Sequence, residues 1–376
     1  MKFDWTILAK LLLIAAIWGI RPASVAAQTY PSTGPISGYM DFHYDNVEGL
    51  DPVLDFHRFV LLVSHSFTPR IRFVGELELE HAFVEGLEEG GELELEQAYV
   101  DFLLTRSFNI RAGMLLTPID IINERHEPPV YNGVERPFVD TFIIPTTWFD
   151  TGAGIYGEFG RGFRYRAYAM APLNAIGFSA DEGIRGGRQK GSESVVRDVA
   201  FAGRTEYVGI PNLNIGASLW RGQTGFEFRT FNVPVTIGEA DVRFKHRRLE
   251  TRGEFAYISV GNAGQLNDAV ERIVGISPNV ASAMRGFYGE AAYRVWAAGM
   301  SKDLVAFLRY ENYDTQYRMP AGFLPLKEFD RDALIVGFTY FPDPDVAVKA
   351  DYTWQRNQSA VVRSPNSFHM GLGWWF

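Results

Sequence analysis

Between residues 75 and 102 the chain reads GELELEHAFVEGLEEGGELELEQAYVDF, with glutamate at every second position of two runs and leucine between them. A period of two is the signature of a strand, whose successive side chains point to opposite faces. Glu76, Glu78 and Glu80, then Glu92, Glu94 and Glu96, therefore share one face of a predicted hairpin, while Leu77, Leu79, Leu93 and Leu95 share the other. Unpaired carboxylates in a dry core cost several kcal/mol each, so the glutamate face must meet water. The leucine face must meet something apolar, either a second sheet or lipid.

The rest of the chain favours lipid. Alternating segments of the length a tilted membrane strand needs recur at 36–45, 54–65, 71–83, 92–103, 108–115, 148–159, 163–171, 198–209, 213–221, 235–245, 248–259, 286–296, 304–313, 332–341, 346–356 and 367–376. These predict an all-β, closed antiparallel barrel of about sixteen strands. Connections at Thr68-Pro69, Thr105-Arg106, 160–162, Pro211-Asn212, His246-Arg247, Ser301-Lys302 and Asp343-Pro344 are short, and the alternate ones are long. That regularity suits an outer-membrane barrel with periplasmic turns, extracellular loops and both termini on the short-turn side.

Face assignments agree. Phe163, Tyr165, Ala167 and Ala169 oppose Arg164, Arg166 and Tyr168; Ala240, Val242 and Phe244 oppose Glu239, Asp241, Arg243 and Lys245; Val348, Ala350, Tyr352 and Trp354 oppose Lys349, Asp351, Thr353 and Gln355. Apolar outside and charged inside is the inverse of a soluble barrel. Tyr99, Phe341, Trp354 and Trp374 are expected in the interfacial girdles. The final segment, SFHMGLGWWF, alternates Phe368, Met370, Leu372, Trp374 and Phe376 on one face, and Phe376 is the expected signal to the barrel assembly machinery.

Composition narrows the function. The chain has 376 residues, no cysteine and a formal charge of -9, so no disulfide supports it and no basic stripe serves a nucleic acid. Residues 1–27 have lysines, an apolar run over Leu11–Ile20 and small residues to Ala27, the layout of a secretory signal peptide, leaving 28–376 as the barrel. No later apolar run is long enough for a transmembrane helix.

The stretch RAGMLLTPIDIINERHEPPVYNGVERPFVDTFIIPTTWFDTGAGIYGEF, residues 111–159, resembles the porin family typified by the phosphate-selective porins O and P. The resemblance rests on RAGM, Thr117-Pro118, Arg136-Pro137, Ile144-Pro145-Thr146-Thr147-Trp148 and Gly152-Ala153-Gly154-Ile155, and extends less specifically over the mature chain. It implies a sixteen-stranded homotrimeric channel passing small hydrophilic solutes, anions such as phosphate among them, with residues 116–147 folded inward as the constriction. The expected pore-lining residues are Arg111, Arg164 and Arg166 on the wall with Glu124, Arg125, Glu127 and Arg136 in the loop, and the six glutamates form an acidic ladder opposite.

Two features depart from that family. Only Lys190, Lys245, Lys302, Lys327 and Lys349 follow the leader, whereas arginines 72, 111, 164, 166, 204, 243, 252, 294 and 309 are expected on the lumen face. Several strands between 108 and 171 carry them without paired acids, with the glutamates of 76–96 facing them around the barrel, which makes a transverse field between arginines and glutamates the expectation, rather than a strict phosphate filter.

Other signals are weaker. The acidic tip GLEEGGE (86–92) reads as solvated, and 262–275 as a loop helix with Asn262 as its cap and Leu266, Ala269, Val270, Ile273 and Val274 on one face. The histidines are scattered in sequence, no hydrolase or phosphate-loop motif is found, and His65 and Ser66 point to opposite faces, so no enzyme, cofactor or metal is expected. The expected partners are outer-membrane lipid and lipopolysaccharide of a Gram-negative bacterium, the assembly machinery and small hydrophilic solutes. A channel specific for an oligosaccharide or organic acid, and a plugged barrel, are the alternatives.

Overall fold

The structure, a computed structural model, describes residues 35–82, 91–228, 230–297 and 302–376. The leader at 1–27 and most of the acidic tip at 86–92 lie outside these residues.

Sixteen strands follow one another: β1 (Ile36–Val47), β2 (Val53–Thr68), β3 (Ile71–Glu80), β4 (Leu93–Phe102), β5 (Asn109–Leu116), β6 (Phe149–Phe159), β7 (Phe163–Met170) and β8 (Ala200–Ile210). The second half comprises β9 (Leu213–Gln223), β10 (Pro234–His246), β11 (Leu249–Val260), β12 (Ala283–Ala297), β13 (Asp303–Arg318), β14 (Asp330–Asp343), β15 (Val346–Asn357) and β16 (Ser367–Trp375). Each pairs with its chain neighbours, and β1 pairs antiparallel with β16 from Tyr39↔Trp375 to Val47↔Ser367, closing the barrel. Closure leaves no strand edge unpaired, the condition for crossing a bilayer with strands. Phe376 stacks against Phe59 at 6.2 Å beside this seam.

The faces sort as a membrane barrel requires. Leu77, Leu95, Leu219, Phe255, Phe338 and Trp354 are exposed on the outside, while Glu206, Glu239, Asp241, Glu290, Arg309 and Lys349 are buried inside. Exposed apolar side chains girdling a closed barrel need lipid around them, so the chain is a multi-pass outer-membrane β-barrel.

Two details differ from the sequence reading. The inner wall is not charged throughout: on β10 the inward residues run Val235, Ile237, Glu239, Asp241, Arg243. Trp220, Ala256, Ile258 and Met284 continue the apolar half onto β9, β11 and β12. Tyr99, expected in the outer girdle, is instead 4% exposed inside. The cause is a bulge: Glu76 faces Gln97 but Leu77 faces Leu95, so Glu96 is an extra residue and the alternation beyond it inverts.

On one rim the connections are brief, as at 69–70, 160–162, 211–212 and 344–345; on the other they include 117–148, 171–199 and 261–282. The last of these carries helix α1 (Ala263–Val274). Asn262 sits at φ 56° and makes no cap, donating instead to Asn232 O at 2.8 Å. The packed face is Ala263, Leu266, Asn267 and Val270, leaving Ile273 and Val274 exposed.

Candidate functional site

The loop 117–148, which follows β5, is pinned at its neck. Thr117 N donates to Trp148 O at 2.8 Å. Asn123 Nδ2 donates to both Thr117 O and Trp148 O at 2.9 Å, and Trp148 N returns a bond to Asn123 Oδ1 at 2.8 Å. Asp120, at φ 58°, accepts Ile122 N and Asn123 N through Oδ1. These bonds satisfy backbone groups that would otherwise be lost when the chain leaves the strand ladder.

From the neck, one flank of the loop docks by apolar burial. Ile119, Ile122, Ile143, Ile144 and Trp148 are all essentially inaccessible and share a core with Trp220, Val235, Ile237, Ala256, Ile258 and Met284 of the wall. Trp148 and Trp220 approach to 5.3 Å between ring centroids. The π-helical turn Val139–Ile143 lies over Gly286 of β12, where a Cβ would stand 2.8 Å from Ile143 Cγ1 and 3.1 Å from Val139 Cγ2. Only glycine permits that approach.

The other flank docks by directed hydrogen bonds. Val134 N donates to Asp351 Oδ2 at 2.7 Å, Val139 N to Glu311 Oε2 at 3.0 Å and Asn132 Nδ2 to Glu290 Oε1 at 2.8 Å. Lys349 Nζ donates to Tyr131 O and Gly133 O at 2.8 and 2.7 Å with the Tyr131 ring 3.9 Å away. Arg309 donates to Asn132 O at 3.0 Å while held by Glu311 at 2.8 Å. Wall carboxylates thus take up loop amides, and wall cations take up loop carbonyls. All these wall residues point into the lumen, so the loop lies inside the barrel. A second loop, 171–199, reaches it, with Arg188 Nη1 donating to Thr146 O at 2.6 Å.

The wall arginines named from sequence do have acidic partners, contrary to the expectation for strands between 108 and 171. Arg111 meets Asp101 at 2.7 Å and Arg164 meets Glu158 at 2.7 Å. Arg166 bridges Glu124 of the loop at 2.9 Å and Glu206 of β8 at 2.8 Å. Antiparallel pairing supplies these acids from neighbouring strands: Asp101 stands opposite Arg111, and Glu158 opposite Arg164. Arg136 donates to Thr146 Oγ1 at 2.7 Å, Glu127 is buried in front of the 3-10 turn Pro128–Val130, and Arg125 is half-buried on the same loop.

The glutamate ladder is split. Glu76, Glu78 and Glu96 are at most 3% exposed: Glu76 accepts from Gln97 and from Tyr39 OH, and Glu78 lies 3.6 Å from Arg58. Glu80 is half-buried, while Glu92 and Glu94 are both bonded by Lys190 of the second loop. Protein has taken the place of the water expected over much of this face. Glu96 meets His126 Nε2 at 3.1 Å, and His126 Nδ1 meets Asn123 O at 3.0 Å. Burial, then Arg136, pushes His126 down to about 4.

Sequence reading missed the residues that hold the loop. Asp120 and Asp140 of the loop meet Glu254 of β11, their ligand oxygens within 4.8 Å of one another, and the buried Asp140 carboxyl has the Glu254 carboxyl as its side-chain neighbour. Burial, then Asp120, pushes Asp140 up, and burial raises Asp120 to about 7 against the opposing bonds from Asn123. Also missed was a cavity beside the loop lined by Arg136, Phe138, Arg309, Asp351 and His369. It adjoins another at Phe138, Phe142, Tyr313, Phe329 and Arg331. There Phe138 and Phe142 flank Tyr313 at 5.4 and 5.6 Å, and the Arg331 guanidinium lies 4.5 Å from the Phe142 ring. These residues come from separate elements, so no local spacing announces them.

No family model matches the chain. An uncharacterized protein of Aquifex aeolicus (strain VF5) is 34% identical over 369 residues, covering 95% of this chain and 83% of that protein, and the chain belongs to its family. Among solved structures, the chain is similar to the outer membrane channel DcaP of Acinetobacter baumannii, with TM-score 0.61, 10% identity and 91% and 96% of the two chains covered. The anion-selective porin from Comamonas acidovorans gives TM-score 0.59, 12% identity and coverages of 91% and 98%. Salmonella typhi OmpF, in complex with daunomycin, gives TM-score 0.60, 10% identity and coverages of 91% and 97%. At these identities the likeness establishes the fold.

Proposed function

We propose that this barrel is a porin, a passive diffusion channel for small hydrophilic solutes whose constriction is the loop 117–148. The observation that carries this is the mode of docking: the loop is bonded to inward side chains of β11, β12, β13 and β15 rather than lying over the rim. A rigid loop inside a closed barrel narrows the lumen without needing covalent chemistry. On this reading Arg111, Arg164, Arg166 and Glu124 edge the aqueous path, and Glu127 and Arg136 stiffen the loop. A homotrimer, and removal of residues 1–27 on export, belong to the same reading.

Phosphate preference is the finer implication of the family resemblance. Each of those wall arginines has a carboxylate within 3 Å, which weakens the case for a bare cationic ladder and favours a mild preference for one ion sign. Single-channel conductance of refolded protein under a salt gradient tests this, with phosphate added as a blocker. Stable steps with a small reversal potential and weak block are expected; no steps from folded protein would overturn the pore.

A second reading, a channel specific for an organic acid, is favoured by the stacked Phe138, Tyr313 and Phe142 beneath Arg331. Aromatic faces beside a guanidinium suit a planar anion. Block of conductance by benzoate that disappears in Arg331→Ala distinguishes it from a general pore.

A further inference from the structure

Of the seven histidines, residues 43, 57, 81 and 369 come from distant parts of the sequence and converge where β16, β1, β2 and β3 approach the long-loop rim. Strand register brings them there. His43 stands opposite Asp55 across β1 and β2, and His369 opposite Asp45 across β1 and β16. His81, just past β3, donates its backbone N–H to His57 O at 3.0 Å.

We propose that Asp55, His57 and His81 form a binding site for a borderline divalent transition ion of the Zn2+ class. Asp55 Oδ2 lies 2.8 Å from His81 Nδ1 and 3.3 Å from His57 Nδ1, and the three ligand atoms fall within 4.8 Å of one another. Around tetrahedral zinc, with bonds of about 2.0–2.1 Å, neighbouring ligand atoms stand about 3.3 Å apart. The two sides at Asp55 thus lie within about 0.5 Å of that spacing, and the third, within 4.8 Å, closes onto it by a shift of about 1.5 Å or less. Two imidazoles and one carboxylate favour zinc, copper or nickel over magnesium or calcium, which prefer an all-oxygen shell.

The surroundings support the assignment. Side-chain exposures of 22% for Asp55 and His57 and 46% for His81 leave the site open to ions and to a water as fourth ligand. His43 stacks on His57 at 4.6 Å between centroids and 13° between planes. It is fixed in turn by Asp41 at 3.1 Å and by Glu135 of the inner loop at 3.0 Å, so the ring packed against a ligand is itself oriented. Asp45, Asp55 and Glu135 add carboxylate to this rim and so attract divalent cations, while the buried Asp41 is already held by Arg58 at 3.1 Å.

The test is Zn2+ binding by untagged, refolded protein in detergent, read by competition with a chromophoric chelator and independent of whether the barrel conducts. One site per chain is expected, weakened about tenfold or more in His81→Ala and in His57→Ala. It should be unchanged in His246→Ala, an exposed histidine at the opposite rim, and unaffected by excess Ca2+. Because His81 lies outside the strands, its variant tests the site even if His57→Ala misfolds. Co2+ provides a second readout: the visible absorption of a tetrahedral nitrogen and oxygen site should be present in the parent and absent from His81→Ala. Absence of Zn2+ binding, or binding that survives both substitutions, would overturn the site.

Discussion

The two flanks of the inner loop are held to the same barrel by opposite means. One flank of the loop is attached by burying isoleucines and Trp148 against the apolar part of β9–β12, and the other by amides and carbonyls on charged residues of β12, β13 and β15. Burial is non-directional and tolerates small shifts, whereas hydrogen bonds between buried groups fix position and leave costly orphans when broken. The apolar flank therefore supplies the grip, and the polar flank sets where the loop's tip stands across the lumen.

The largest effect is expected from the apolar flank. Trp148→Ala removes a buried ring at the neck and should cost about 3–5 kcal/mol in denaturant unfolding of the refolded barrel. The freed loop should also raise conductance. Lys349→Met probes the polar flank by stripping the donor from Tyr131 O and Gly133 O, and should cost about 1–3 kcal/mol. Its distinctive mark should be noisier current rather than a larger mean, and a larger stability loss than that of Trp148→Ala would reverse the assignment of grip and placement.

Asp140 sharpens the comparison, because it puts a buried carboxyl within the apolar flank, faced by Asp120, Glu254, Glu311 and Glu239, with Arg204 acting on Asp120. Asp120 and Asp140 are raised in the folded state, so the folded form holds more protons than the unfolded one. Stability is then full below the unfolded value of about 4 and falls as pH climbs toward Asp120's value of about 7. Asp140→Asn should accordingly gain about 1–3 kcal/mol at pH 8 and nothing at pH 4. An equal gain at both would show that charge is not the cause. The smallest effect is predicted for Arg164→Ala, whose partly exposed bond to Glu158 is worth under about 1 kcal/mol, so only the reversal potential should move, toward cations.

Much of the barrel was legible in the chain. The sixteen alternating segments and closure by the aromatic final strand follow from local periodicity, whereas the water expected over the glutamate hairpin is largely replaced by protein around Glu76, Glu78 and Glu96. Where that reading failed, the cause was non-local. Tyr99 turned inward because one bulge at Glu96 inverted the alternation, which no count of polar positions reveals. Arg111 and Arg164 looked unpaired because Asp101 and Glu158 are adjacent only across strands. The histidines looked scattered for the same reason.

The sequence by itself determined the fold, because a strand's two faces are written at a spacing of two residues and a bilayer demands one answer for each face. Only the tertiary structure decided what the lumen contains. The seating of 117–148 on Gly286, Asp351 and Lys349, the burial of Asp140 against Glu254 and the meeting of Asp55, His57 and His81 each depend on register and loop path. Apart from Asp55 and His57, neighbours on one face of β2, these contacts join residues tens to hundreds of positions apart, and short-range patterning carries no record of them.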